Sequence, residues 1–390
     1  MSKGIIHLWI LVALFLLLIT SVGFIYLKYI KQAKPAEISS SIDDNSSSRP
    51  LSSIAKQSPS DSPIVDSSNE MTYEMKVLVL KYFPLTSDKK NIDIAITGDV
   101  GASYSEIKLN TEAITKNLVE ALNKASRYLG YKNPSAISLL SYKIVDTKVF
   151  EQGVPMLNNG SRKPDYNTVM VNNNVCNYVE NQGVSEVWLW AYQGPVYPGT
   201  NAAYLSISES KMAGPFGDIS NSWRENNMPK CSKTYRVYTF NYGRGTAEAM
   251  ESWGHQFEAE LKAVDSKLFD LFQGPNYPQT LNQVGRCGSV HNPPNARSEY
   301  DRANKTPHKS DCIDWNPDSL GTTSEISCAN WGCEEKGDND NPPLNYMVWN
   351  WQNLPGENNG ITFRDKKLRN WWDVHRDFDN VMRNNSRLTL

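Results

Sequence analysis

The chain has 390 residues, and its 40 basic and 42 acidic side chains leave a formal charge of -2. Without a long-range positive field it offers no electrostatic footprint for nucleic acid, so nucleic-acid binding is excluded as a primary role. Charged residues are only 21% of the sequence and there are six cysteines, a balance that fits an exported protein better than a cytosolic enzyme.

Residues 5–27, IIHLWILVALFLLLITSVGFIYL, are apolar apart from His7, Thr20, Ser21 and Gly23. As a helix at 1.5 Å per residue this run reaches about 34 Å, enough to cross a hydrocarbon core of roughly 30 Å. It exceeds the apolar stretch of a cleaved signal peptide, and Lys28-Tyr-Ile-Lys31 stands where a small-residue cleavage site belongs. The expectation is a single-pass signal-anchor in the cell membrane, with residues 1–4 in the cytoplasm and the C-terminal domain outside. Lys28, Lys31 and Lys34 after the span run against that orientation, whereas the cysteines and the large trailing domain favour it. The string Lys3-Gly-Ile-Ile-His-Leu8 resembles the N-terminal anchors of exported bacterial proteins. Residues 28–71 form a Ser/Pro-rich tether that cannot bury enough apolar area to fold. Its last 37 or so residues, as a coil, reach about 30–35 Å.

Residues 72–272 read as an α/β core around a mixed, largely parallel sheet, because strand and helix patterns alternate. Strands are expected at Met75–Tyr82, Asp93–Thr97, 137–150, Ser185–Tyr192, Ala203–Ser208 and Tyr235–Tyr242. A helix capped by Asn110 buries Ile114, Leu118, Leu122, Ala125 and Leu129, and a second covers 168–181. Residues 273–390 are a loop-rich extension of the same domain, regular only at 344–351 and in a closing helix near 364–382. Cys176, Cys231, Cys287, Cys312, Cys328 and Cys333 are an even set for three disulfides, with the pairing open. Only Cys328-x4-Cys333 approaches a structural-zinc spacing.

The most informative segment is the helix of residues 246–272, opened by Gly243-Arg244-Gly245 after a strand. Met250, Gly254, Phe257, Leu261, Val264, Leu268 and Leu271 make its buried stripe, with Glu251, His255 and Glu258 along the edge. His255 and Glu258, spaced i and i+3, can offer an imidazole and a carboxylate to one divalent ion, zinc first, and His291 in the stiff loop His291-Asn-Pro-Pro-Asn295 is the third ligand candidate. Glu251 then acts as general base, as a third helix ligand, or as the partner that orients His255. Asp301 is a weaker ligand candidate. The same residues equally suit the polar margin of an ordinary amphipathic helix. Gly254 inside that helix implies close approach by another group. Arg244 is an anion-binding candidate, placed about 15 Å along the helix from His255 and therefore expected outside its pocket.

Trp188/Trp190 and Trp349/Trp351 have the i, i+2 spacing that puts two indoles on one strand face. Trp349 and Trp351 are the candidate glycan-binding pair, and Trp188 and Trp190 read as core. Asp338-Asn-Asp-Asn341 offers oxygen ligands for calcium without the EF-hand pattern. No P-loop, GxGxxG or GxSxG sequence occurs.

Lys211-Met-Ala-Gly-Pro215, Phe240-Asn-Tyr-Gly-Arg-Gly245, Gly254-His-Gln-Phe-Glu258, His291-Asn-Pro-Pro-Asn295 and Tyr300-Asp301 together resemble a set shared by uncharacterised exported microbial proteins. The resemblance covers residues 73–355 and implies one domain there, but it brings no activity. The leading expectation is a metal-assisted hydrolase of peptide or cell-wall polymer. The alternative is a non-catalytic cell-surface module for glycan binding or adhesion.

Overall fold

The computed structural model describes residues 72–98, 100–129, 136–158, 163–192, 210–274, 284–334, 342–385 and 387–390. Its frame is a five-stranded sheet of β1 (Tyr73–Tyr82), β2 (Leu140–Phe150), β3 (Val184–Ala191), β4 (Ser210–Ala213) and β5 (Tyr235–Asn241), in the order β2-β1-β3-β5-β4. The first four strands in that order run parallel and β4 runs antiparallel to β5. The expected mixed, mostly parallel α/β architecture is present. Residues Ser67–Leu390 cluster as one compact unit.

Helix α1 (Ile94–Thr97) replaces the strand expected there, because Asp93 caps it through the Ala95 N–H and Gly98, at φ 76°, ends it after one turn. Helix α2 (Tyr104–Ala125) starts six residues before the expected Asn110, where Ser103 and Glu106 form a capping box. Asn110 instead lies within the helix and donates to the Tyr242 carbonyl at 3.2 Å. The helix expected at 168–181 divides into α3 (Tyr166–Asn172) and α4 (Val175–Asn181), since Asn174 adopts a left-handed conformation at φ 53°. Helix α5 (Thr246–Gln273) follows β5 directly, as the glycine-flanked turn implied.

The two sheet faces are covered by different helices. Paired residues of β3 and β5 share a face, and Arg236 and Glu186 meet Glu260 and Trp253 of α5 there. On the other face the Thr239 hydroxyl meets that of Tyr166 in α3 at 2.9 Å. Trp188 and Trp190 are fully buried, in line with their core reading.

Residues 344–351 belong to a helix, α6 (Pro343–Gln352), opened by Pro343 in its first turn. On a helix the i, i+2 positions of Trp349 and Trp351 diverge by about 200° instead of sharing a face. Trp351 is buried against Trp253 and Phe257, while Trp349 packs on Trp331 and Tyr346. No flat two-indole platform exists there. The closing helix is likewise broken: strands β8 (Thr362–Phe363) and β9 (Lys366–Lys367) turn through Arg364 and Asp365 at positive φ, ahead of α7 (Trp372–Arg376) and α8 (Phe378–Arg383). A second two-stranded sheet pairs β6 (His308–Ser310) with β7 (Ser324–Ile326).

A buried ionic network ties α7 to the core. Arg236 grips Glu260 through two bonds of 2.6 and 2.7 Å, and His375 bridges Glu260 at 3.0 Å and Glu186 at 2.8 Å. Because carboxylates only accept, the two ring nitrogens of His375 both face acceptors.

All six cysteines pair, Cys176 with Cys231, Cys287 with Cys312 and Cys328 with Cys333. Three disulfides point to an oxidising, extracytoplasmic compartment. Among the described residues no helix is long and apolar enough to cross a membrane. The apolar run 5–27, the tether, the strand expected at 203–208 and the calcium candidate 338–341 lie outside the described residues.

Candidate metal centre

Helix α5 and the loop of residues 285–302 build the site between them. The stripe of α5 turns Phe257 and Leu261 into the core, leaving Glu251 and His255 half-buried at its edge. The loop begins where Cys287 and Gly288 donate to the last carbonyls of α5, at Phe272 and Gln273, and the Cys287–Cys312 disulfide pins that base. Ser289 and Asn292 exchange backbone bonds of 3.0 and 3.1 Å, so Val290 and His291 form the tip of a tight turn.

That turn is gripped from several sides. Tyr346 of α6 donates its hydroxyl to the carbonyls of Ser289 and Asn292, and Asn350 donates to that of Cys287. Arg302, itself buried, donates to the Val290 carbonyl at 2.5 Å. Gly254 has the close neighbour its position implied: a Cβ there would lie 2.5 Å from Val290 Cγ1 and 3.2 Å from Trp351 Cζ2. Glycine at this point lets the loop lie against the helix.

The result is a convergence of three ligand atoms. His255 Nε2 and His291 Nε2 are 2.8 Å apart, and Glu251 Oε1 lies 3.2 Å from His291 Nε2 and 3.9 Å from His255 Nε2. A single ion can touch two atoms only if their separation does not exceed the sum of the two bonds, about 4.0–4.3 Å for zinc with nitrogen and oxygen donors. All three separations meet that condition, and among the described residues this is the group of ionisable side chains able to hold a metal ion. His291, expected on sequence grounds alone, comes to within direct ligation reach of His255.

The other ring nitrogen of each histidine faces a carboxylate. His255 Nδ1 is 3.6 Å from Glu258 Oε2, and His291 Nδ1 is 3.2 Å from Glu299 Oε1. At 3.6 and 3.2 Å these are ion-pair contacts and not formed hydrogen bonds, but each carboxylate stands on the side of the ring where the outer partner of a metal-binding imidazole is found. Glu258, expected as a ligand, thus stands behind His255, and its Oε1 accepts from Gln273 Nε2 at 2.8 Å and from the Val290 N–H at 3.0 Å. Glu251 is the carboxylate that converges with the two imidazoles. Asp301 is turned away and accepts from the Arg297 N–H and Asn304 Nδ2.

The two carboxylates also differ in their charged neighbours. Burial pushes the Glu251 carboxyl up, but the hydrogen bond from His291 and the charge and 2.6 Å bond of Arg302 outweigh it and hold the group at about 2. A carboxylate held that low is ionised at neutral pH, the form in which it can accept an imidazole proton or meet a cation. Burial pulls the His291 imidazole down, yet the bond to Glu251 and its charge leave it raised overall.

Tyr300 completes the rim. Its hydroxyl is 3.2 Å from His291 Nε2 and 3.4 Å from Glu251 Oε1, its ring lies against that of His291 at 4.7 Å and a tilt of 47°, and the Arg302 guanidinium lies 5.0 Å from the ring centre. Its φ of 62° is rare for an aromatic residue, and such conformations collect at functional sites. Burial, with the charges of Glu251 and Glu299, pushes its phenol up to about 12, so it remains a donor at neutral pH. Arg302, Glu299 and Tyr346 escape sequence reasoning. The one signal for the first two is the polar run Glu299-Tyr-Asp-Arg302 closely following His291, and Tyr346 has none.

Arg244 does not occupy a separate site. One cleft of about 800 Å³ extends from the Gly243-Arg244-Gly245 turn past Ser252 to His255, His291 and Tyr300. It opens where β5 feeds α5, at the carboxyl edge of the parallel strands, the usual ligand position in α/β folds. No protein-family model matches the chain, and comparison with curated proteins yields no match either, so the chemistry of this cleft rests on its own geometry.

Proposed function

We propose that the chain is a metal-assisted hydrolase acting on peptide or cell-wall polymer outside the cytoplasm, anchored to the membrane by residues 5–27. The observation that carries this is the convergence of Glu251 Oε1, His255 Nε2 and His291 Nε2, each imidazole backed by its own carboxylate. Two histidines and one carboxylate are a donor set suited to zinc, and the ring of protein groups on one side leaves the other side open to the cleft.

A divalent ion held there supplies a Lewis acid and lowers the pKa of bound water. The chain's own groups do the rest. Arg302 holds the second oxygen of Glu251 and the Val290 carbonyl, which keeps ligand and loop in one geometry. Tyr300, protonated and at the rim, donates to the oxygen on which negative charge develops when a carbonyl is attacked. The glycan-binding alternative loses its premise, because Trp349 and Trp351 are helical and pack inward.

The test is to strip the full-length chain, purified in detergent, with EDTA, restore zinc, and follow a peptide mixture and isolated cell wall by mass spectrometry. Cleavage should require the ion and vanish in His291→Ala. Chelator-resistant cleavage, or none with the ion restored, overturns the proposal.

A further inference from the structure

We infer that the cleft binds an extended peptide and that Arg244 holds a carboxylate of that peptide, four to five residues away from the bond at the metal centre. The inference rests on the hydrolase reading for what happens at that centre, but the binding it describes is separate. From Thr246, where α5 begins, to His255 is about 13–14 Å along the helix, and Arg244 stands two residues before it, a separation that an extended chain spans in about five residues at 3.3 Å each.

Three features of the chain point to this ligand. Arg244 makes both of its bonds to Glu248 through the single nitrogen Nη1, at 2.5 and 2.6 Å. Its Nε–Nη2 edge is the side-on fork that pairs with a carboxylate, and the side chain is 38% exposed. The turn also begins a long helix whose N-cap is Gly245, with no side chain to cap it, so the positive end of α5 faces the same place.

The independent observation is Ser252. It is 5% exposed, it lines the cleft, and its hydroxyl has no hydrogen-bond partner. It lies three residues before His255 on α5, hence one turn from the metal centre and between that centre and Arg244. An unmet buried hydroxyl costs about 1–3 kcal/mol, a cost removed when the side chain turns its oxygen out to a peptide backbone group in the cleft.

The chemistry of the walls selects the ligand class. Each arginine lining the cleft already faces a carboxylate, Arg244 with Glu248 and Arg302 with Glu251, so the walls hold no spare positive charge for a dianion such as phosphate, and a single carboxylate is what the open edge of Arg244 can pair. Tyr300 carries the one phenol among the lining residues and no indole lines the cleft among the described residues, which leaves no stacking platform for a sugar.

The experiment is calorimetric titration of the full-length chain in detergent, stripped with EDTA and dialysed so that no ion contributes. The probes are a neutral octapeptide with a free C-terminal carboxylate, its C-terminal amide, and the amide with Asp as last residue. The acid should bind at least about tenfold tighter than the plain amide, as expected for a forked charge-assisted pair. Arg244→Ala should abolish that gap, and Ser252→Ala should weaken both peptides alike. Tight binding of the Asp amide assigns the subsite to acidic side chains as well; weak binding assigns it to chain ends. Absence of binding by every probe, equal binding of acid and amide, or a gap that survives Arg244→Ala overturns the inference. Because no ion is present, failure here leaves the metal centre untouched, and a failed metal titration leaves this result standing.

Discussion

The carboxylate of Glu258 accepts the backbone N–H of Val290 at 3.0 Å, one residue before His291, so the helix that carries His255 also fixes the loop that carries its partner. The same carboxylate stands 3.6 Å behind His255 Nδ1. One side chain therefore holds the loop of His291 and stands close behind His255. Removing it in Glu258→Ala should lower metal affinity about 10–100-fold, the usual effect of losing such an outer partner, and Glu258→Gln should lose less because its amide oxygen still accepts from Val290. Competition against a chromophoric chelator measures this, and an unchanged affinity in the alanine variant contradicts the assigned role.

Gly254→Ala tests whether the loop must lie directly on α5. The new methyl would gain about 1 kcal/mol of helix propensity but meet Val290 Cγ1 at 2.5 Å, and overpacking costs about 1–3 kcal/mol. The two nearly offset. We expect the melting temperature to move by only a few degrees while metal affinity falls, since Val290 and His291 must shift together. Full affinity with an unchanged melting temperature would show that the contact does not matter.

Tyr300→Phe keeps the ring against His291 and removes only the hydroxyl. If that hydroxyl serves the developing oxyanion, metal affinity should stay within about threefold while kcat drops roughly 10²-fold or more and KM changes little. A variant with wild-type kcat removes Tyr300 from the chemistry.

The buried network around His375 makes a prediction about stability. Burial raises the Glu260 carboxyl, but the charges of Arg236 and His375 and their hydrogen bonds outweigh it and hold it below its ordinary 4.5. A depressed folded value means the contribution is fully present above about pH 4.5 and is lost as pH falls through the folded value. Thermal melts should therefore hold level down to that point and decline below it. His375→Ala leaves two buried carboxylates short of a partner and should destabilise by about 3–5 kcal/mol. A loss under about 1 kcal/mol would contradict the network.

Much of this site was legible in the sequence. The stripe from Met250 to Leu271 placed Glu251 and His255 at a helix edge, and the prolines after His291 marked a stiff loop. What pattern could not supply was the exchange of Glu251 and Glu258, because both flank the stripe equally and only the position of the Val290 N–H separates them. Arg302 was illegible for a related reason: its partners come from α5 and from the loop tip, far apart in the chain. Local chemistry also overrode periodicity elsewhere. Asp93 and Gly98 convert a β-rich pentapeptide into a single helical turn, and Pro343 starts a helix across an aromatic run that alternation alone reads as a strand.

The central claim is that Glu251, His255 and His291 hold one divalent ion. Elemental analysis of the full-length chain after zinc loading and dialysis tests it most directly. One ion per wild-type chain, and none in His255→Ala or His291→Ala with their folds intact by circular dichroism, is the predicted result. A wild-type chain that retains no ion, or variants that retain it undiminished, would contradict the account.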